Sequence, residues 1–128
     1  MALVFWIIGV LNVANGLWML FAPQHWYLNL PAGVPDTGPF NGHFVRDIGC
    51  AFTTIGAAFC AAAARPVHRR AVVMAAALFL ALHAAVHVAD MLSGRLHHGH
   101  WLIDLPGVFL PAILIAVLCL PRWWRTQA

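Results

Sequence analysis

Four apolar runs of near-membrane length, divided by short polar connections, decide most of what this chain can become. A helix rises about 1.5 Å per residue and the hydrocarbon core of a bilayer is about 30 Å thick, so one crossing takes about 20 apolar residues. The runs fall at 2–22, 42–64, 71–92 and 105–120. With 128 residues, 62% of them hydrophobic and 9% charged, the chain cannot bury its apolar surface as a water-soluble globule. The expectation is an all-α four-helix transmembrane bundle, a single integral membrane domain over 1–128, with the lipid bilayer as its principal partner.

Each run has identifiable ends. The first stops at Pro23 and lacks both a basic leader and a small-residue cleavage site, so it reads as a retained span rather than a signal peptide. The last is short and carries two prolines: Pro106 suits a first turn, whereas Pro111 should kink the helix. The connection over 23–41 is rich in Pro and Gly and reads as a structured turn rather than a helix.

Charge supplies an orientation. All seven basic residues are Arg, all four acidic residues are Asp, and eight His stand beside them. The net charge of +3 gathers at Arg65, Arg69, Arg70, Arg122 and Arg125, in two short flanks of apolar runs. That is the pattern of a cytoplasmic face, not of nucleic-acid binding. It places the N- and C-termini in the cytoplasm and the connections 23–41 and 93–104 outside. Trp26, Tyr27, Trp101, Trp123 and Trp124 lie at span ends, where amphipathic rings favour the headgroup layer. Cys50, Cys60 and Cys119 show no paired spacing, and a disulfide framework is not expected.

Ionisable groups inside spans are costly, and they commonly mark a function or a partner. The second span holds His43, Arg46 and Asp47, and the third holds His83, His87 and Asp90. At about 100° per residue, His83, His87 and Asp90 share a stripe roughly 60° wide. His43, Asp47 and Cys50 repeat the spacing, and Thr54 extends it. Folding the pair about Val67 brings both stripes to one height, in the outward half of the membrane. The first span adds Asn15. Asp104 stands where it can cap the fourth span, and His97, His98 and His100 read as solvated loop residues that can feed ions to the mouth.

Imidazole and carboxylate suit Zn, Cu or Fe. His43, Asp47, His83, His87 and Asp90 are therefore the expected ligands of a transition metal between spans two and three. Arg46 and Asn15 are candidate cofactor contacts. A haem or quinone pocket, with Arg46 at a propionate, is a weaker fit because the stripe is rich in carboxylate. The same groups can also relay protons or ions, although the inner span halves are almost wholly apolar. Or they can simply satisfy one another and hold helices together, as Gly49, Thr53, Gly56 and Cys60 would by close packing.

The first-span ending Gly16-Leu17-Trp18-Met19-Leu20-Phe21-Ala22-Pro23 and the second-span opening Phe44-Val45-Arg46-Asp47-Ile48-Gly49 resemble the DoxX-like superfamily of small four-helix bacterial membrane proteins. The resemblance covers about 15 residues in detail, and the His-rich third span is not part of its pattern. It implies a multi-pass protein of the bacterial inner membrane and a structural part for Arg46. A metal-binding accessory or redox-linked subunit, joined to copies of itself or to other membrane subunits, is the expectation.

Overall fold

The structure is a computed structural model and describes residues 1–120; the C-terminal Trp123, Trp124, Arg122 and Arg125 lie outside the described residues. It is all-α. Six helices run α1 Ala2–Phe21, α2 Pro23–Asn29, α3 Gly42–Ala64, α4 Arg69–Leu92, α5 His100–Ile103 and α6 Leu110–Leu118, with 3-10 turns at Val34–Thr37 and Pro66–His68. Three of the described helical stretches, Ala2–Phe21, Gly42–Ala64 and Pro66–Leu92, are long and apolar enough to cross a membrane. The chain is a multi-span membrane protein by that measure.

The expected four-helix bundle is corrected by this architecture. The fourth run is broken: a wide π turn occupies Leu105–Phe109 and α6 begins only at Leu110. The nine-residue α6 and the five-residue π segment together reach about 21 Å at 1.5 Å per residue, short of the hydrocarbon thickness. The prolines are the cause. Pro106 and Pro111 occupy early positions of the two segments, and neither can donate the backbone hydrogen bond that a continuous helix needs. With three long spans among the described residues, the even count that put both termini in the cytoplasm no longer holds.

The connection after the first span also departs from expectation, because α2 is a helix. Ala22 leaves helical geometry at φ −138° and ψ 59°, and Pro23 then opens α2, where its missing N–H is not needed. Two indoles tie α2 to α1: Trp26 Nε1 donates to Asn15 Oδ1 at 2.9 Å, and Trp18 Nε1 donates to His25 Nδ1 at 3.0 Å. Asn15 is thereby a structural partner of Trp26.

The chain divides into two compact units, Met1–Leu30 with Gly38–Val72, and Pro31–Thr37 with the chain from Val73 onward. In the first, α1 and α3 pack at backbone contact. A β-carbon on Gly16 would lie 2.4 Å from Thr53 Oγ1 and 2.7 Å from the Gly49 carbonyl oxygen; on Gly56 it would lie 2.7 Å from that of Gly9. Small residues thus let two backbones meet where lipid gives no hydrophobic drive. Phe5 and Phe59 are buried against each other in the same seam, with ring centroids 5.4 Å apart. Arg69, one of the flanking basic residues, is buried. Its Nε and Nη2 donate to the carbonyls of Ala62 and Ala63, each at 3.0 Å, and so close the C-terminal end of α3. Asn41 closes the other end, accepting from the amides of His43 and Phe44.

In the second unit, α4 ends in a turn that the sequence 90–95 dictates. Gly94 adopts φ +73°, which lets the Arg95 amide reach the Asp90 carbonyl at 2.9 Å and the Gly94 amide reach that of Met91 at 3.3 Å. This double closure reverses the chain. Leu96, Val108 and Ile115 are buried beyond it, together with Met91.

Candidate metal centre

The second unit gathers two carboxylates and three imidazoles in one connected cluster. Its centre is His100, the first residue of α5, whose ring is fully buried. On one side, His100 Nδ1 lies 3.3 Å from both oxygens of Asp104. On the other, His100 Nε2 lies 3.3 Å from Asp36 Oδ2. Asp104 is 1% exposed and also accepts from His87 Nδ1 at 2.8 Å. His97 completes the cluster, with Nε2 3.5 Å from Asp36 Oδ2.

Local backbone explains how these side chains arrive. Asp36 follows a turn in which its amide donates to the Gly33 carbonyl at 2.9 Å. Gly33 itself has φ +58°, and a β-carbon there would stand 3.1 Å from His100 Cε1. Glycine is required on both counts: the conformation disfavours side chains, and the imidazole occupies the space. His97 is set by Gly99, whose amide donates to His97 Nδ1 at 3.1 Å. The spacing of three between His97 and His100 then puts both rings on the same side of the turn, with centroids 4.7 Å apart.

Ionised carboxylates only accept hydrogen bonds, so the ring nitrogens facing Asp104 carry protons. His100 therefore donates through Nδ1, and as a neutral ring it has a lone pair on Nε2. That lone pair points at a second carboxylate. A cation held between Nε2 of this buried ring and the Asp36 carboxylate would satisfy both lone pairs. Among the described residues, Asp36, His97 and His100 offer ligand atoms that all lie within 4.8 Å of one another. In a tetrahedral site with bonds of about 2.0–2.1 Å, neighbouring ligand atoms stand about 3.4 Å apart. The 3.3 Å and 3.5 Å separations of Asp36 from the two imidazoles already have that length. The cluster can coordinate a metal ion. Asp36 and His97 are both exposed, so an ion held there would be accessible to water.

The residues expected as ligands hold other partners. His43 and Asp47 pair with each other one turn apart on α3, at 3.4 Å, and both are exposed. Arg46 and Cys50 on that helix are exposed as well. Asp90 takes Arg95 Nη1 at 2.9 Å. His83 and His87 approach edge to face, centroids 4.8 Å apart, with Phe79 stacked on His83. Of the expected five, His87 joins the new cluster, through Asp104. Asp104 does not use its side chain to cap a helix; the carboxylate serves the two imidazoles instead. Asp36 is the residue that sequence reasoning missed. Its one available signal was scarcity, since it is one of only four carboxylates in the chain.

No known protein family matches this chain, and neither a curated protein nor a solved structure matches it. The resemblance to the DoxX-like superfamily thus gains no support beyond the residues that suggested it. The three long apolar helices among the described residues depart from the four-span layout it implies.

Proposed function

We propose that this chain is a metal-binding membrane protein whose ligands are Asp36, His97 and His100. The ion is a divalent transition metal of the zinc class. The observation that carries the proposal is the placement of His100: a fully buried imidazole with one nitrogen against Asp104 and the other 3.3 Å from Asp36 Oδ2, the same oxygen that lies 3.5 Å from His97 Nε2. Two imidazoles and one carboxylate suit Zn²⁺ or Fe²⁺ better than the soft Cu⁺, which favours thiolate and thioether. Three protein ligands with a mouth open to water are the arrangement of exchangeable rather than sealed sites.

Ligand strengths follow from the geometry. His100 is pre-aimed. His97 is not, because Gly99 donates to its Nδ1, which leaves the neutral ring's proton on Nε2, directed at Asp36. An ion at that nitrogen displaces the proton and breaks the Gly99 bond. His97 is therefore the weaker ligand.

A second reading has an observation of its own. Among the described residues, no buried side-chain polar atom lacks a partner, so the network can stand as a clasp that ties Pro31–Thr37 to α5. Metal analysis separates the two. Purified full-length protein, loaded with Zn²⁺ and dialysed, is expected to retain one equivalent, and His100→Ala and Asp36→Asn to retain none. His97→Ala should bind, but more weakly. Substoichiometric metal in the wild type, with all variants alike, would leave the clasp as the function of these residues.

A further inference from the structure

We infer that Asp104 is the positioning carboxylate of the metal site and that His87 anchors it to the membrane-spanning helix α4. The inference rests on Asp36, His97 and His100 being the ion's ligands.

Asp104 is fixed from every direction. Its amide donates to the His100 carbonyl at 3.0 Å, and its own carbonyl accepts from Val108 at 2.8 Å and Phe109 at 3.2 Å. The side chain is buried, so its charge depends on the two Nδ1–H groups of His87 and His100. Those bonds have unequal tasks. The bond to His100 holds that ring as the tautomer whose Nε2 is free for the ion, and it makes the ring a better donor of its lone pair. A carboxylate behind a ligating imidazole usually does both. The shorter bond, from His87, touches no ligand. It holds the carboxylate where it faces His100, and His87 stands on α4, a 24-residue helix. The site's only buried ligand is thus braced, through Asp104, against the longest described helix, on which His87 stands seventeen residues before Asp104 in sequence. Two exposed loop residues on a turn could not supply that rigidity.

The test is Zn²⁺ affinity of the full chain in detergent, by competition with a chelating dye, with the melting temperature of the metal-free protein measured beside it. Asp104→Asn keeps the shape but removes the charge, and its amide can donate to His100 Nδ1, favouring the wrong tautomer. It is expected to weaken Zn²⁺ binding about 10–100-fold. His87→Leu is expected to weaken it in the same direction by a smaller factor. His87→Asn can place an N–H where the imidazole Nδ1–H lies, and should return affinity close to wild type. That rescue is what a packing role would not give, and it carries the test if Asp104→Asn does not fold. Wild-type affinity in both Asp104→Asn and His87→Leu would overturn the inference. If the wild type binds no Zn²⁺, the ligand assignment falls on its own. Imidazole nitrogen NMR of the metal-free chain then decides the positioning: a hydrogen-bonded His100 Nδ1 proton that moves in Asp104→Asn supports it, and one that does not move refutes it.

Discussion

His87 Nδ1 on α4 lies 2.8 Å from Asp104 Oδ2, the shortest contact among the five side chains of the cluster. It joins a helix long and apolar enough to cross a membrane to the turn that carries His100. A carboxylate so deeply buried is tolerated because two N–H groups meet it. Removing one of them has a measurable consequence for folding, apart from any effect on an ion.

His87→Leu leaves Asp104 with His100 alone. The expected loss is about 1–3 kcal/mol of stability, the usual penalty for stranding part of a buried polar group. Reversible unfolding in mixed detergent measures it. His98→Leu, at a neighbouring exposed imidazole, should change little.

Gly33→Ala tests the site without replacing a ligand. The backbone at φ +58° and the His100 ring 3.1 Å away both oppose a methyl group. The left-handed conformation alone costs about 1–2 kcal/mol, and relief requires the ring or the turn to shift. Zn²⁺ affinity is expected to fall while helix content by circular dichroism stays unchanged.

The α1–α3 seam gives a prediction about the other unit. Gly16→Ala places a methyl group 2.6 Å from the Thr53 amide nitrogen and 2.7 Å from the Gly49 carbonyl oxygen, atoms of backbone that cannot rotate aside. Overpacking of this kind costs about 1–3 kcal/mol. Gly107→Ala, where nothing lies within 4 Å, serves as the control. Unfolding curves of the pair should separate clearly, with Gly107→Ala at or above wild type.

Arg69→Leu removes both donors to the Ala62 and Ala63 carbonyls and the guanidinium that lies 5.6 Å from the Phe5 ring centroid. A loss of about 2–3 kcal/mol is expected, since hydrogen bonds from charged donors are among the stronger ones. Arg69→Lys should recover only part of it, because one ammonium lacks the fork that reaches two carbonyls. Arg70→Leu, on an exposed neighbour, should be close to neutral in the same thermal assay.

The long helices were legible because span length is a one-dimensional property. The apolar runs at 42–64 and 71–92 coincide closely with α3 and α4, and Gly49, Thr53 and Gly56 announce a close-packed face. What misled was also local: the run at 105–120 is apolar enough for a span, but Pro106 and Pro111 interrupt its backbone bonding more than a kink would. Pro23 ends one helix and begins another, and composition alone does not distinguish those roles. The metal cluster was hardly legible. His97 and His100 advertise themselves by spacing, yet their third partner Asp36 is 64 residues from His100, and no periodicity links a turn to a loop at that distance. Asp104 was visible as a carboxylate at a helix start, where capping is the ordinary use. Only tertiary structure shows it turned inward to two imidazoles.

X-ray absorption at the zinc edge of the Zn²⁺-loaded full chain tests the central claim most directly, because it counts ligands by type. The expected spectrum has a first shell of nitrogen and oxygen at about 2.0–2.1 Å, with outer-shell scattering from two imidazoles, falling to one in His97→Ala. A shell of oxygen alone, a sulfur contribution, or the same two-imidazole signal in both His97→Ala and His100→Ala would contradict the assignment.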